Sequence, residues 1–124
     1  MIINSTISLP GDKSISHRSI MLASIASGVS HITNLNDGED LQSTIKAMQS
    51  CGALIKKEKD MIIIRGAILV NPKEPIDCGN SGTTSRLLTG LLSSQHLSFS
   101  LTGDESLSKR PMNRVVKPLQ DMGC

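Results

Sequence analysis

Three short stretches of the sequence combine basic residues with glycine or proline at predicted helix starts. The first, GDKSISHR (11–18), places Lys13, Ser14 and Arg18 together on the first turns of a helix. A cation at a helix N-terminus opposes the macrodipole, so an anionic ligand would turn this arrangement into a binding site. The spacing excludes an ATP-binding P-loop, because Lys13 follows Asp12 rather than a glycine. The segment alone also fits an N-cap followed by a solvated polar face.

The second stretch, DCGNSGTTSR (77–86), places Gly79 and Gly82 just before another predicted helix. Glycines at such a position let backbone N–H groups approach a phosphate or carboxylate closely. Asn80 and Thr83 could add hydrogen bonds from their side chains. A strand-to-helix turn that needs positive φ explains the same glycines without any ligand.

The third stretch, SLSKRPMNR (106–114), has Arg110 immediately before Pro111. Proline suits the first position of a helix, which predicts that the last helix begins at Pro111. A guanidinium at that helix start can bind a carboxylate or phosphate with two parallel hydrogen bonds. A surface arginine is the alternative for this stretch taken alone.

The hydrophobic pattern predicts alternating helices and strands. The predicted elements are, in order, a helix ending before Gly28, a strand at 29–35, a helix at 36–52, a hairpin at 53–66, a helix at 81–94, a strand at 96–102 and a helix at about 111–122.

Some positions in these elements have specific expected roles. The apolar positions of the first helix recur at helical spacing: Ile15, Leu22, Ile25 and Ala26. Asp37 is expected to cap the second helix and Gly52 to end it, and its apolar face is expected to carry Leu41, Ile45 and Met48. Pro118 falls inside the last helix, so we expect a kink or a restart close to it.

The order of elements repeats along the chain. IKAMQSCGA (45–53) aligns with VKPLQDMGC (116–124), and Ser14 and Asp37 have counterparts 67 residues later in Ser81 and Asp104. The repeating unit is βαβαββ, and its second copy reaches Cys124 before its closing hairpin. The pattern therefore predicts a piece of a larger protein. If both copies pack alike, their helix starts gather at one end and bring Lys13, Gly82 and Arg110 near one small anion.

Composition limits the possible functions of the 124-residue chain. The net charge of +2 is too small to indicate a polyanion partner, and one Phe without Trp or Tyr provides no stacking surface for nucleic acid. No stretch approaches the roughly 20 apolar residues of a membrane span, and no signal peptide is recognisable. Three cysteines without CxxC spacing favour reduced structural thiols. We therefore expect a cytoplasmic protein with neither nucleic acid nor membrane as partner.

The three stretches LPGDKSISHRS, GNSGTTSRLLTG and RPMNRVVKPLQDMG together resemble the N-terminal part of the EPSP synthase family, the 3-phosphoshikimate 1-carboxyvinyltransferases. The resemblance covers nearly all of this chain, which would be the first quarter to third of such an enzyme. It implies transfer of the enolpyruvyl group of phosphoenolpyruvate to the 5-hydroxyl of shikimate 3-phosphate, with release of phosphate. It also implies that neither a metal nor an organic cofactor is needed.

The resemblance implies an α/β fold of repeated βαβαββ units, the inverse α/β barrel of enolpyruvyl transferases. In that family two domains of three units each flank the active site. This chain would supply one complete unit and a truncated second. Residues 1–9 would form a first strand that belongs to the other domain, and residues 10–124 would form part of one enolpyruvyl transferase domain. We expect a monomer at full length, and no transfer activity from this chain alone.

The resemblance also assigns site residues. Lys13 would be the catalytic residue and would contact both substrates, with Ser14 and Arg18 holding shikimate 3-phosphate. The phosphoenolpyruvate residues would be Lys13, Asn80, Gly82 and Arg110.

Other polar residues are expected to be structural. The family's acid-base carboxylates would lie beyond residue 124, so the aspartates here are expected to be caps and turn residues: Asp37, Asp40, Asp77 and Asp104. The histidines share no spacing and are expected to be structural or exposed: His17, His31 and His96.

Two other functions remain open from the sequence. UDP-N-acetylglucosamine enolpyruvyl transferases use the same donor, but they typically have Lys-Asn where this chain has Lys13-Ser14. They also carry a catalytic cysteine on a loop before Arg-Pro, and the corresponding GDESLSKRP (103–111) lacks cysteine. A non-catalytic fragment that binds phosphorylated metabolites is the second alternative.

Overall fold

The structure is a computed structural model that describes residues 4–124. Within this range the chain forms the predicted helices and strands in the predicted order, together with a short strand at 76–77 and a short helix at 105–108 that were not predicted. The elements are α1 (Lys13–Ile25), β1 (Val29–Thr33), α2 (Glu39–Ser50), β2 (Leu54–Glu58), β3 (Met61–Arg65), β4 (Ile76–Asp77), α3 (Gly82–Ser94), β5 (Leu101–Thr102), α4 (Glu105–Ser108) and α5 (Asn113–Asp121).

Helix α1 begins after Asp12, whose carboxylate accepts the N–H of Ile15 at 2.8 Å. The predicted apolar face of this helix is wrong at Ile15 and Leu22, which are 65% and 60% exposed, whereas Ile25 packs against the core. Apolar residues occupy both sides of α1, and the side that packs inward carries polar groups that find partners there. The buried residues of α1 are Ser16, His17, Ile20, Met21, Ala23 and Ser24.

Helix α2 has the predicted buried face, which consists of Leu41, Thr44, Ile45, Ala47 and Met48. The predicted cap is wrong, because the N-cap position is Gly38 and Asp37 is exposed. Among the described residues no side chain caps α2, but the side-chain oxygen of Asn36 accepts the N–H of the N-cap residue Gly38 at 2.9 Å.

Strands β1, β3 and β2 form an antiparallel sheet in that order, and the predicted hairpin at 53–66 is confirmed. Its turn passes through Lys59, which has φ of 49°. The inner face of β3 contributes Ile62 and Ile64 to the core, where α1 and α2 pack.

Strands β4 and β5 pair in parallel, with Ile76 opposite Leu101. Only the end of the predicted strand at 96–102 forms, because the N–H of Ser98 bonds to the side chain of Asn71 rather than to a neighbouring strand. The predicted alternation survives in the burial, since Leu97 and Phe99 are half-buried while Ser98 is exposed.

The last part of the chain differs from the prediction at its start. Asp104 caps the short helix α4 by accepting the N–H of Leu107 at 2.7 Å, and α5 begins at Asn113 rather than at Pro111. Helix α5 continues through Pro118 without restarting. The carbonyl that loses its N–H partner is that of the exposed Arg114, which water can satisfy.

The aligned segments 45–53 and 116–124 end their helices in the same way. Gly52 and Gly123 both adopt positive φ, at 93° and 88°. The residue after each glycine donates its N–H to a carbonyl five positions earlier, Ala53 to Met48 and Cys124 to Leu119, both at 3.0 Å.

The other aligned pairs are not equivalent. Ser81 is the N-cap of α3 whereas Ser14 is the second residue of α1, and Asp104 caps a helix whereas Asp37 does not.

The chain's first segment and its thiols complete the fold. Residues 4–9 are exposed and outside any strand, and residues 1–3 of the predicted strand lie outside the described range. Cys51 and Cys78 are buried free thiols, and Cys124 is an exposed one. Burial raises the pKa of Cys78 to about 11. No helix in residues 4–124 is long and apolar enough to cross a membrane.

Candidate functional site

The starts of helices α1, α2 and α3 meet at one end of the molecule. Lys13, the first residue of α1, forms an ion pair with Asp40 in the first turn of α2. The hydroxyl of Thr84 in the first turn of α3 lies 3.2 Å from the carbonyl oxygen of Asp40. The starts of α1, α2 and α3 therefore lie close together, and the expectation that Lys13, Gly82 and Arg110 bind one small anion stays a prediction.

A series of hydrogen bonds holds in place two of the residues that were predicted to bind phosphoenolpyruvate. The guanidinium of Arg110 donates to the side-chain oxygen of Asn80 at 2.7 Å, and the amide nitrogen of Asn80 donates to Asp104 at 2.6 Å. The hydrogen bond from Asn80, the N–H of Leu107 and the charge of Arg110 lower the pKa of Asp104. Asp104 is thus an acceptor that anchors Asn80 as well as a helix cap.

Gly82 is the first residue of α3, and two guanidinium groups lie directly against it. A Cβ atom at this position would be 2.7 Å from Nη1 of Arg86 and 2.9 Å from Nη1 of Arg110. Arg86 also donates to the carbonyl oxygens of Gly82 and Pro111, both at 3.3 Å. Because the first N–H groups of a helix lack carbonyl partners within it, this end of α3 combines the N–H groups of Gly82 and Thr83 with two hydrogen-bonded guanidinium groups.

The turn that precedes Gly82 explains the second glycine of the stretch. Gly79 has φ of 55°, its N–H donates to Asp77 at 2.8 Å, and its carbonyl accepts the N–H of Asp104 at 2.9 Å. The turn with positive φ therefore explains Gly79, whereas at Gly82 the absence of a Cβ lets the guanidinium groups of Arg86 and Arg110 lie close to the backbone.

A cavity of about 320 Å³ lies beside Arg110. Its polar lining includes Ser85, Thr102 and Ser108, and its apolar lining includes Leu107 and Met112. A small ligand bound to Arg110 would therefore have space next to the start of α3.

The residues that were predicted to bind shikimate 3-phosphate lie on α1 and are exposed to solvent. Ser14 and Arg18 are exposed, and the side chain of Lys13 is 51% exposed despite its ion pair. Neither Ser14 nor Arg18 makes a side-chain hydrogen bond to any part of the chain between residues 4 and 124. The structure thus joins Asn80, Gly82 and Arg110 directly, and it links Lys13 to them through α2.

His17 is fully buried one turn after Lys13, and its Nδ1 lies 2.7 Å from the hydroxyl of Thr44. Burial lowers the pKa of this imidazole, and the carboxylate of Asp40 partly opposes that effect. His31 and His96 are exposed. The expectation that the histidines are structural or exposed is confirmed in placement.

Sequence reasoning missed two charged residues at the helix starts. Arg86 comes four residues after Gly82, a spacing that puts it over the same turn of α3. Asp40 was expected to be only a first-turn or capping residue, but its side chain pairs with Lys13. The signal for Arg86 was its spacing of four residues from Gly82, and the signal for Asp40 was the expected gathering of helix starts.

Comparisons with known proteins agree on one family. A family model for EPSP synthase (3-phosphoshikimate 1-carboxyvinyltransferase) matches residues 2–124. The chain is 52% identical over 120 residues to the 3-phosphoshikimate 1-carboxyvinyltransferase of Brucella canis, covering 94% of this chain and 27% of the relative. It is 50% identical over 125 residues to the enzyme of that name from Ruthia magnifica, covering 98% and 29%.

The fold also matches a solved structure. The EPSP synthase of Acinetobacter baumannii superimposes with a TM-score of 0.89 at 46% identity, over 94% of this chain and 27% of that one. The chain therefore spans between a quarter and a third of the length of these relatives.

Proposed function

Because the chain belongs to the EPSP synthase family, we propose that it forms part of an enzyme that transfers the enolpyruvyl group of phosphoenolpyruvate to shikimate 3-phosphate. In that reaction the 5-hydroxyl oxygen bonds to C2 of the enolpyruvyl group, and the bond from C2 to the phosphate oxygen breaks. The proton of the hydroxyl leaves, and inorganic phosphate is released. This chain would supply part of the binding site, and the acid-base groups would come from the remainder of the enzyme.

The observation that carries this proposal is the pair of guanidinium groups at the start of α3. Arg86 and Arg110 lie against Gly82, and Asn80 holds Arg110 in place. Phosphoenolpyruvate carries a phosphate and a carboxylate, which are the groups that fixed guanidiniums and helix N–H groups bind best. We therefore assign Asn80, Gly82 and Arg110 to the donor and add Arg86 to them.

Shikimate 3-phosphate is assigned to the exposed face at the start of α1. Ser14 can donate a hydroxyl hydrogen bond to its phosphate, and Arg18 lies on the next turn of the same helix. Both side chains are exposed, so they can bind a ligand without breaking a contact within residues 4–124.

Lys13 is assigned to the junction of the two substrates. Two multiply charged anions repel each other, and a cation between them offsets that repulsion and the charge that moves onto the leaving phosphate. The ion pair with Asp40 keeps the ammonium at the meeting point of α1 and α2. An ammonium is compact, whereas the broader guanidinium fork would crowd two substrates.

We also propose the finer family architecture for this chain. Residues 10–124 would be part of one domain of repeated βαβαββ units, and residues 1–9 would pair in the other domain. The matching helix ends at Gly52 and Gly123 support the repeat. The complete enzyme would be a cytoplasmic monomer, and its free thiols suit a reducing compartment.

The decisive experiment is an assay of a full-length family enzyme that contains these 124 residues. Phosphate release that requires both phosphoenolpyruvate and shikimate 3-phosphate supports the proposal. Release that requires UDP-N-acetylglucosamine instead would assign the chain to the other enolpyruvyl transferase reaction, which the missing cysteine in 103–111 argues against.

Calorimetric titration of the 124-residue chain tests the non-catalytic alternative. Because part of the proposed site lies outside this chain, we expect at most weak binding of shikimate 3-phosphate. Micromolar affinity would favour a self-sufficient binding module.

A further inference from the structure

A chain of buried, hydrogen-bonded polar side chains connects the helix starts that are proposed to bind the two substrates. His17 of α1 lies 2.7 Å from the hydroxyl of Thr44 in α2, which lies 2.8 Å from the hydroxyl of Thr84 in α3. Thr84 lies 2.8 Å from the hydroxyl of Ser81 and 3.2 Å from the carbonyl oxygen of Asp40. The side chains that form this chain, which we call the buried polar chain, are His17, Thr44, Thr84 and Ser81.

Each end of the buried polar chain lies next to proposed binding residues. His17 is flanked in sequence by Arg18 and is one turn from Lys13, whereas Ser81 immediately precedes Gly82. Thr44 is completely buried, and it is the member of the buried polar chain that lies on α2, between the two ends.

Hydrogen-bond chemistry sets a direction along the buried polar chain. The hydroxyl of Thr84 has one proton, which it donates to the carbonyl of Asp40 or to the hydroxyl of Ser81, and in either case it accepts from Thr44. Thr44 then accepts from Nδ1–H of His17. The opposite direction would place the proton on Nε2, which is buried and has no partner within the described residues. A buried N–H without a partner costs more than an unused lone pair, so the Nδ1–H tautomer is favoured.

We propose that Thr44 is a positioning residue, whose hydroxyl holds the start of α1 with Lys13 in fixed relation to the start of α3 with Gly82. The inference rests on the proposed function, because it assigns Thr44 a role between the two substrates of that reaction. The hydroxyl is required for this role and the methyl group is not, since the methyl group makes no hydrogen bond. Transfer between two bound molecules depends steeply on their relative placement, and an error of about 1 Å can cost about 10²-fold in rate.

The test uses the full-length enzyme with Thr44→Val, which keeps the side-chain shape and removes the hydroxyl. We expect kcat to fall tenfold or more, with KM for both substrates rising together. Thr44→Ser restores the hydroxyl and should return kcat to within about threefold of wild type. The matched control is Thr89→Val, because Thr89 is also a buried threonine, and among residues 4–124 its hydroxyl bonds only to the carbonyl of Ser85 in its own helix.

A purely structural role for Thr44 would lower the melting temperature and leave kinetic constants of the folded enzyme unchanged, as we expect for Thr89→Val. Kinetics of Thr44→Val that match those of Thr89→Val would therefore overturn the inference, as would failure of Thr44→Ser to restore kcat. If Thr44→Val does not fold, Thr84→Val removes the next hydroxyl of the buried polar chain. It must then show the same joint loss, and unchanged kinetics would refute the inference.

A second readout is independent of activity. Nitrogen NMR of the His17 ring in the full-length enzyme should show a proton on Nδ1 in wild type and a changed Nδ1 shift in Thr44→Val. A proton on Nε2 in wild type would contradict the assigned direction. An inactive wild-type enzyme would refute the proposed function, whereas an active wild type with an unaffected Thr44→Val variant would refute only this inference.

Discussion

Gly82→Ala is expected to impair the binding of phosphoenolpyruvate without unfolding the protein. The added Cβ would lie 2.7 Å from Nη1 of Arg86 and 2.9 Å from Nη1 of Arg110, whereas favourable contacts begin at about 3.5 Å. Each guanidinium must therefore move by roughly 0.6 to 0.8 Å. Both groups end flexible side chains, so this movement costs little folding free energy.

The kinetic effect of Gly82→Ala should be large and specific to the donor. Because a misplacement of about 1 Å can cost about 10²-fold, we expect kcat/KM for phosphoenolpyruvate to fall by roughly tenfold or more. KM for shikimate 3-phosphate should change less than about twofold, since Ser14 and Arg18 lie on another helix. Steady-state kinetics of the full-length enzyme, with each substrate varied in turn, measures both constants.

Gly90→Ala is the matched control, because it lies in the same helix and its Cβ would meet nothing within 4 Å. Replacing glycine by alanine inside a helix stabilises by about 0.5–1 kcal/mol, so this variant should melt slightly higher with unchanged kinetics. If Gly82→Ala leaves the donor constants unchanged, or changes those of the acceptor equally, the guanidinium site at Gly82 is wrong.

Two further predictions concern stability. Burial lowers the pKa of His17 in the folded state, so the unfolded state takes up the proton first as pH falls below about 6.5, and the free energy of unfolding decreases. Urea unfolding between pH 5 and 7 should show a smaller decrease for His17→Asn than for wild type. An identical decrease would contradict the assignment. Gly66→Ala would place Cβ against the backbone oxygen of Ala26 and disturb the backbone hydrogen bonds from Gly66 to Gly28 and from Ala67 to Ser24. We expect the free energy of unfolding, measured by thermal unfolding, to fall by at least about 2 kcal/mol. A melting temperature equal to that of Gly90→Ala would refute this prediction.

Local patterns in the sequence were sufficient for most helices and for the hairpin. The spacing of Leu41, Ile45 and Met48 predicted the buried face of α2, and Gly52 predicted its end. These features depend on interactions within a few residues, which a single sequence contains.

Two predictions failed because they depended on contacts with residues distant in sequence. The sequence could not show which side of α1 packs inward, because His17 is buried with a hydrogen-bond partner 27 residues away, Thr44. The strand at 96–102 is short because Asn71 binds the backbone of Ser98, another contact distant in sequence.

The candidate site also divides into residues that local sequence motifs identified and residues whose roles needed a tertiary contact. The sequence motifs identified Asn80, Gly82 and Arg110, which the structure joins, but the role of Arg86 depended on how its side chain folds back over Gly82. The pairing of Asp40 with Lys13 likewise required two helix starts to meet.

The most direct test of the account is Lys13→Ala in a full-length family enzyme containing this chain, with Arg18→Ala and Arg110→Ala as single-side comparisons. If Lys13 lies between the two anions, its loss should raise KM for both substrates and lower kcat by on the order of 10²-fold. Arg18→Ala should raise mainly KM for shikimate 3-phosphate, and Arg110→Ala mainly KM for phosphoenolpyruvate. A Lys13→Ala enzyme with kcat and both KM values within about twofold of wild type, under roughly 0.5 kcal/mol, would contradict the account and leave Lys13 as a solvated helix-start residue.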